Sequence, residues 1–251
     1  MSLISIVTAT YNSEKYIKNV YSSILNQTHE KWEWVVTDDN STDGTVSLLN
    51  DIASKDSRVT IKINKENLGA AHSRNRCLKS INGEYVAFID SDDLWYPNKL
   101  ELQLLFMSNQ NINFSFTSYD IINNNGIKTG KEIDIKNKLS TYKYNDILKK
   151  RATLGCSTVM LRKSAIDDLT MPLLRTGQDY AFWLKILKSG EEAHLLKKIL
   201  TSYRITPGSI SRNKFKKAMR QWEIYRDLEG LDFYNSSVSF FHYAWRAIKR
   251  I

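Results

Sequence analysis

Three carboxylates occur close together at Asp90, Asp92 and Asp93, directly after the apolar run Tyr85-Val86-Ala87-Phe88-Ile89. An apolar run of this length is typical of a central strand that is covered on both faces. Carboxylates crowded at the end of such a strand repel one another unless a cation or a hydrogen-bond donor offsets their charge. Mg²⁺ or Mn²⁺ suits the cluster, because these ions take one or two carboxylates while substrate phosphates fill other positions. The alternative is a solvated turn in which Asp93 caps the next helix.

Three further groups have side chains that fit a nucleotide. The run from Asp38 and Asp39 to Asp43 offers carboxylates and hydroxyls that can accept hydrogen bonds from a base imide and a ribose. Tyr11 can stack on a base, and Arg74 can meet a phosphate or an acidic loop. Each group also has a plainer interpretation: Asp43 as a helix cap, Tyr11 as a packed aromatic and Arg74 as a surface arginine.

Residues 1–95 alternate short apolar runs with segments of helical period, which predicts a mostly parallel sheet with helices on both faces. Strands are predicted at 3–7, 32–37, 59–63 and 85–89, with helices after Asn12-Ser13, after Asp43-Gly44 and over 70–79. Open α/β sheets bind ligands beyond the carboxyl ends of their strands. We therefore expect the polar groups at 8–12, 38–39 and 90–93 to share one crevice.

The second half is less regular. It predicts helices over 97–107 and 179–188, strands over 114–119, 156–162 and 193–203, and an Asn-rich surface excursion over 123–138. Within that excursion, Gly126–Lys131 resembles a phosphate loop but is one residue short and lacks the Ser/Thr after the lysine. The first turn has no glycine, which excludes a Rossmann oxidoreductase. Neither the two cysteines nor the four histidines have the spacing of a metal site.

Four motifs occur in order, namely Thr10-Tyr11-Asn12, Asp38–Asp43, Asn67-Leu68-Gly69 with Arg74-Asn75, and Phe88–Asp93. In this order and spacing they resemble the family 2 glycosyltransferases of the GT-A fold. The similarity continues through Gly155-Cys156-Ser157-Thr158 and Arg175-Thr176-Gly177-Gln178-Asp179. It is greatest to members that assemble O-antigen, capsule and teichuronic acid. The resemblance implies a Rossmann-like central sheet with helices on both faces and an inverting, metal-dependent transfer.

The resemblance also implies residue roles. Uridine contacts are expected from Thr8, Tyr11 and Asp39 with help from Arg74, and the ribose is expected near Asp90, with Ser91 in the same loop. Asp92 matches the ligand of Mn²⁺ or Mg²⁺. Asp179 matches the general base, which removes the acceptor proton as that oxygen attacks opposite the departing diphosphate. Taken alone, Asp179 would be assigned to capping its helix.

Two further pairs of residues are candidates for contacts with the acceptor and with the diphosphate. Gln178 and Trp183 lie beside the base in sequence, where they can contact an acceptor sugar, although Trp183 fits the core equally well. Tyr203 and Arg204, with Ser209 and Ser211, resemble the segment that closes over the diphosphate. Two departures from the family pattern are Thr206, where relatives often have His, and Ala9, where they often have Pro.

Residues 211–251 carry nine basic and four acidic side chains, which is more than half of the net charge of +9, interleaved with aromatics. Two helices separated near Gly230 are predicted here. Basic and aromatic residues in alternation suit an anionic membrane surface. The competing interpretation is that the aromatics cover the catalytic domain. Nucleic-acid binding is disfavoured, because no recognised module accompanies the charge.

The sequence thus predicts a catalytic domain over 1–210, with a nucleotide-binding half (1–95) and an acceptor-binding half (96–210), followed by a basic aromatic tail over 211–251. The expected donor is a UDP-sugar, with UDP-glucose as the first candidate. The expected acceptor is a saccharide on polyprenyl diphosphate, used at the inner face of the cell membrane by a cytoplasmic, peripheral protein. A nucleotidyltransferase and a noncatalytic nucleotide-sugar scaffold are the alternatives.

Overall fold

The structure is a computed structural model that describes residues 2–206 and 214–249. Its strands are β1 Ile4–Thr10, β2 Trp32–Asp38, β3 Val59–Ile63, β4 Tyr85–Phe88, β5 Leu94–Trp95, β6 Phe114–Ile122, β7 Lys128–Ile133, β8 Thr141–Tyr142, β9 Met160–Arg162 and β10 Ala193–Arg204. Its helices are α1 Ile17–Leu25, α2 Thr45–Lys55, α3 Ala70–Leu78, α4 Lys99–Asn109, α5 Tyr144–Leu148, α6 Gln178–Lys188, α7 Lys214–Glu223 and α8 Phe233–Lys249.

The strands form one sheet in the order β3-β2-β1-β4-β9-β6-β10-β5, with β7 paired to β6 and β8 paired to β10. Strands β1 to β4 are parallel to one another, as expected. In the second half, β9 runs antiparallel between β4 and β6, while β6 and β10 are parallel. The parallel half brings the carboxyl ends of β1, β2 and β4 to one edge of the sheet, which positions the candidate site.

Apolar residues fill both faces of the sheet. One core contains the buried faces of α1 and α2, and the other contains α3, α6 and the segment after α7. Strand β4 is buried at every position, which explains why its sequence is continuously apolar. On α6 six residues are buried, and Trp183 packs edge-on against Phe88 at 5.4 Å between ring centroids.

Two predicted elements differ from the structure near the site. Helix α1 begins at Ile17 instead of directly after Ser13, because the Ser13 carbonyl accepts hydrogen bonds from the N–H groups of Tyr16 and Ile17 in a preceding turn. The strand expected over 156–162 begins with a 3₁₀ turn, Cys156–Thr158, and only Met160–Arg162 pairs with the sheet. This turn places Ser157 against the acidic cluster.

The segment that resembles a phosphate loop is part of a β-hairpin. Gly126 makes the turn with φ 81°, and the exposed strand β7 follows. A phosphate loop leads from a strand into a helix, so this hairpin is not a phosphate loop.

The tail contains two helices on either side of Gly230, as predicted. A π-helical turn, Ile224–Leu228, follows α7, and its residues Ile224 and Tyr225 are buried in the core. The expected boundary at 210/211 and the residues Ser209 and Ser211 lie outside the described residues. No helix within residues 2–206 or 214–249 has the length and apolarity needed to cross a bilayer.

Candidate functional site

The carboxyl ends of β1, β2 and β4 bring three polar loops together. The Asp39 N–H donates to the Thr10 carbonyl at 2.8 Å, which joins the loops after β1 and β2. The hydroxyls of Ser13 and Ser91 lie 2.7 Å apart, which joins the loops after β1 and β4. Tyr11 stands at the rim with 48% of its surface exposed. The sheet thus gathers the motifs that the sequence separates by about 80 positions.

Asp39 is a buried carboxylate that holds the loop before α3. Its Oδ1 accepts from Asn64 Nδ2 at 2.7 Å, the Leu68 N–H at 3.0 Å and Ser73 Oγ at 3.1 Å, and its Oδ2 accepts from the Gly69 N–H at 2.7 Å. Burial by itself raises the pKa of Asp39, but these hydrogen bonds outweigh it and lower the pKa below its ordinary value. The carboxylate is therefore charged and fixed, and Oδ2 accepts one hydrogen bond from the described residues where Oδ1 accepts three.

Arg74, in the nucleotide-binding half, interacts with both Asp90 and the predicted base, Asp179. Its Nη2 donates to Asp90 Oδ1 at 2.5 Å, and the side chain is almost fully buried. Burial lowers the pKa of Arg74, but Cys156, Asp90 and Asp179 together raise it above its ordinary value. Nε and Nη1 are buried and have no hydrogen-bond partner in the described part of the chain. A charged group with unused donors at the mouth of a cleft is suited to a polar ligand.

Asp92 follows Asp90 in a loop whose side chains offer only oxygen atoms as metal ligands. Burial and the Asp90 charge raise the pKa of Asp92 to about 6, although Arg204 opposes the shift. A hard divalent cation offsets this unfavourable charge, so the residues fit Mn²⁺ or Mg²⁺. Among residues 2–206 and 214–249, no three His, Cys, Asp or Glu side chains converge as a complete metal cage. That arrangement suits an ion held mainly by substrate phosphates and one or two carboxylates.

Asp93 and Ser157 form a buried node beneath the cluster. Ser157 Oγ donates to Asp93 Oδ2 at 2.6 Å and accepts from the Asp90 N–H at 2.9 Å. Asp93 Oδ1 accepts from the Arg204 N–H at 2.8 Å. Burial, with Asp92 and Asp90, raises the pKa of Asp93 well above its ordinary value. The sequence motif at 155–158 marked this turn, but no role for Ser157 was predicted from it.

The predicted base lies in the first turn of α6. Gly177 precedes the helix in a left-handed conformation with φ 72°, which lets the chain turn sharply into Gln178. Asp179 is half-buried and acts electrostatically on both Arg74 and Cys156. Oε1 of Gln178 is buried without a partner in the part of the chain that the structure describes. The first turn of α6 therefore holds a carboxylate that interacts with Arg74 and a buried amide oxygen with no partner among the described residues.

Trp183 requires a correction. The ring is fully buried among Phe88, Phe114 and Phe182, with centroid distances of 5.2 to 5.6 Å. A side chain enclosed in this way has no free face for an acceptor sugar, so the expected acceptor contact is wrong for this geometry. The residue lies four positions after Asp179, but the apolar face of α6 turns it toward the sheet.

Thr8 also lies deeper than expected. It is fully buried, and its Oγ1 accepts a hydrogen bond from Trp34 Nε1 at 2.9 Å inside the sheet. A direct uridine contact by this side chain is therefore wrong for this structure. Thr10, two positions further along the same strand, reaches the loop region, and its Oγ1 is buried without a partner among the described residues. The sequence motifs did not identify this hydroxyl.

Arg204 is occupied by the fold. Its Nε donates to the Asp92 carbonyl at 2.6 Å, and its Nη1 donates to the Asn123 carbonyl at 3.2 Å. Backbone carbonyls therefore take the Nε and Nη1 donors of this guanidinium, and the diphosphate contact expected of Arg204 stays a prediction. The neighbouring Tyr203 packs edge-on against Tyr119 at 5.9 Å. This aromatic pair joins β10 to β6, whereas the Arg204 bonds join β10 to the acidic loop.

The candidate site is an open cleft. Two cavities lie elsewhere: one of about 220 Å³ is lined by Tyr96, Asp120 and the β7 hairpin, and one of about 330 Å³ lies between α6 and the π-helical turn. None of the acidic-cluster residues lines either cavity. We therefore locate the site by its chemistry and by the strand ends, and not by enclosed volume.

Comparisons with known proteins agree with this geometry. The sequence model of glycosyl transferase family 2 matches residues 5–170. The glycosyltransferase TuaG of Bacillus subtilis, which carries a teichuronic acid biosynthesis assignment, is 40% identical over 99% of this chain and 97% of its own length. The Escherichia coli protein WfgD is 39% identical over 90% of this chain and 86% of its own length. It is described as a UDP-Glc:alpha-D-GlcNAc-diphosphoundecaprenol beta-1,3-glucosyltransferase.

Solved structures show the same fold. The S. aureus TarS fragment 1-349 in complex with UDP-GlcNAc superposes with a TM-score of 0.74 at 23% identity, over 90% of this chain. This chain spans 65% of the length of that fragment. The similarity confirms the expected GT-A architecture.

Proposed function

The chain belongs to glycosyl transferase family 2, and we propose that it transfers glucose from UDP-glucose to a saccharide carried on polyprenyl diphosphate, in the synthesis of a bacterial surface polysaccharide. The observation that carries this proposal is the pair of E. coli relatives, WfgD and WfaP, 39% and 35% identical over 90% and 97% of the chain. Both are described as acting on UDP-Glc and diphosphoundecaprenol-linked GlcNAc. As a glycosyltransferase, the chain is neither a nucleotidyltransferase nor a noncatalytic scaffold.

The donor is proposed to bind across the carboxyl ends of β1, β2 and β4. Tyr11 is exposed at the rim, where it can stack on the base, and Asp39 holds a fixed negative charge that can accept from the base imide. Arg74 has unused donors and is bonded to Asp90, which is proposed to contact the ribose. These contacts orient the donor before transfer.

Asp92 is proposed to hold Mn²⁺ or Mg²⁺ together with the donor phosphates. The ion, when bound, offsets the negative charge that develops on the departing diphosphate. The chain itself positions Asp92 through Arg204, which donates to its carbonyl, and through the Asp93–Ser157 node below. Because Asp90 and Asp92 repel each other, the acidic loop needs this scaffold to keep its shape.

Asp179 is proposed as the general base of an inverting reaction. Its carboxylate accepts the proton of the acceptor hydroxyl while that oxygen attacks the anomeric carbon from the face opposite the leaving diphosphate. Arg74 lies near enough to Asp179 for the two charges to interact, so the guanidinium and the proposed base share one site. Gln178, with an unused buried oxygen, is proposed to accept a hydrogen bond from the acceptor sugar.

The tail is proposed to dock the enzyme on the anionic inner face of the membrane, where a polyprenyl-linked acceptor resides. The π-helical turn is anchored to the catalytic domain, since Tyr225 is buried and its hydroxyl donates to the Leu148 carbonyl at 2.7 Å. Helix α8, in contrast, exposes Tyr234, Phe241 and Trp245 along one face. An anchored helix with an exposed aromatic face and basic neighbours suits a lipid headgroup layer.

Transfer is tested with purified protein, GlcNAc-diphosphoundecaprenol as acceptor, and a panel of UDP-glucose, UDP-galactose, UDP-GlcNAc and GDP-mannose. We expect product with UDP-glucose, and no product once EDTA has removed divalent cations. Equal product from GDP-mannose, or undiminished product in EDTA, would contradict the proposal. Membrane docking is tested separately by sedimentation with vesicles containing anionic lipid, where Tyr234→Ser with Phe241→Ser should reduce binding and transfer to a soluble acceptor analogue should not change.

A further inference from the structure

The loop that leads into α6 lies across the start of α3, on the nucleotide-binding half. Asn75 of α3 clamps this loop with two hydrogen bonds: its Nδ2 donates to the Met171 carbonyl at 2.9 Å, and its Oδ1 accepts from the Met171 N–H at 2.7 Å. An amide that pairs with both backbone groups of one residue fixes the position of that residue. The acceptor-binding half is thereby fastened to the donor-binding half.

The clamp places Arg175 over Gly69. Arg175 Nη1 lies 3.2 Å, and Arg175 Cδ 3.7 Å, from the position that a Cβ atom would occupy at Gly69. Gly69 has φ 92° and caps α3, and its N–H donates to Asp39 Oδ2. The Arg175 guanidinium is therefore next to Gly69, whose N–H is bonded to the carboxylate proposed to accept from the base imide.

Arg175 also has its donors free. The residue is exposed, and within residues 2–206 and 214–249 no hydrogen bond or ion pair uses its guanidinium. The two other arginines near the acidic cluster are buried: Arg74 is bound to Asp90 through Nη2, and Arg204 donates to backbone carbonyls through Nε and Nη1. Arg175 is thus an exposed cation beside Gly69, and its five N–H donors have no partner within the described part of the chain.

We infer that Arg175 recognises the uracil base of the donor, by donating to its O4 carbonyl oxygen while Asp39 accepts from the adjacent imide N3–H. This inference rests on the proposed function and names a residue that sets its nucleotide specificity. An arginine N–H group beside a carboxylate is complementary to the edge of uracil, which presents the O4 carbonyl oxygen next to N3–H. Cytosine presents an amine and an unprotonated nitrogen at the same positions, so both contacts are mismatched.

The test measures the affinity of UDP and of CDP by calorimetry for the full chain and for Arg175→Ala. We expect the variant to bind UDP about tenfold more weakly and CDP within twofold of the parent, since uracil has a carbonyl oxygen at C4 where cytosine has an amine. Arg175→Lys should recover part of the lost UDP affinity. The matched control, Arg151→Ala, removes an exposed arginine whose partner is Asp146, and it should leave both affinities unchanged.

A second variant tests the placement of Arg175 without removing it. Asn75→Asp keeps the acceptor for the Met171 N–H but loses the donor to the Met171 carbonyl, so the preference for UDP over CDP should also fall. UDP affinity within twofold of the parent in Arg175→Ala would overturn the inference, and so would equal losses for UDP and CDP, which indicate a phosphate contact. Failure of the parent protein itself to prefer UDP would contradict the proposed function instead.

Discussion

Replacing Asp39 by asparagine should destabilise the protein, although the two side chains have nearly the same shape. The carboxylate is 3% exposed and accepts four hydrogen bonds from the chain. An amide keeps one oxygen, and its NH₂ group has to face an N–H or another donor. One charge-assisted bond, worth about 1.5–3 kcal/mol, is lost, and a buried donor left unpaired costs about 1–3 kcal/mol.

The remaining bonds of Asp39→Asn become neutral and weaker, while removal of a buried charge returns part of the loss. We therefore expect the free energy of unfolding to fall by about 2–4 kcal/mol. Urea denaturation at neutral pH measures this difference. Asp51→Asn is the matched control, because Asp51 is exposed and pairs only with Lys55 on α2, and its change should stay below about 0.5 kcal/mol.

The pH dependence of the difference tests its electrostatic origin. The folded pKa of Asp39 lies below its ordinary value of 3.8, so the carboxylate contributes its stabilisation above the unfolded pKa and loses it as pH falls through the folded pKa. The gap between the parent and Asp39→Asn should be constant from pH 7 to about 5 and narrow below about 4. A loss under 0.5 kcal/mol at neutral pH, or a gap that widens in acid, would refute the reasoning.

Trp183→Ala should lower the free energy of unfolding by about 3–5 kcal/mol, because it leaves a cavity. Trp183→Phe should keep the transfer rate per folded molecule. A selective rise in the acceptor KM of Trp183→Phe would instead support an acceptor contact by this residue. Ser157→Ala removes the donor to Asp93 and the acceptor for the Asp90 N–H, so the apparent Mn²⁺ affinity should fall about tenfold, and unchanged metal titrations would contradict its positioning role. Arg58 holds the pKa of Asp56 at about 2 through a side-chain hydrogen bond. Arg58→Ala should therefore lower the free energy of unfolding by about 1 kcal/mol at pH 7, a small value because the pair is partly exposed. This loss should shrink between about pH 4 and pH 2. A loss that is independent of pH would indicate that only the contact of Arg58 with the Trp32 ring matters.

Features set by local sequence were predictable. Strand β4 is buried on both faces, so its composition alone identifies it, and the polar residues that follow it had to lie at the edge of the sheet. The same reasoning located the loops of Tyr11 and Asp39. Helix α6 was predicted to within one residue, because its apolar positions recur with helical period.

Features set by distant pairs were not predictable. The Ser157 node joins residues 64 and 67 positions apart, the Asn75 clamp spans 96, and Arg204 reaches a carbonyl 112 positions away. The errors at Thr8 and Trp183 have a local cause: side-chain direction alternates along a strand and rotates along a helix, so sequence proximity to a site does not give orientation toward it. Periodicity identifies the element, and only the packing decides which face meets the ligand.

The central claim is that Asp179 removes the acceptor proton in a transfer from a UDP-sugar. The most direct measurement is single-turnover transfer by Asp179→Asn, alongside UDP affinity for the same variant and Asp167→Asn as a control acid on the preceding loop. We expect Asp179→Asn to bind UDP within a fewfold of the parent but to transfer about 10²- to 10⁴-fold more slowly, with the control unchanged. Transfer by Asp179→Asn at the parent rate would contradict the account.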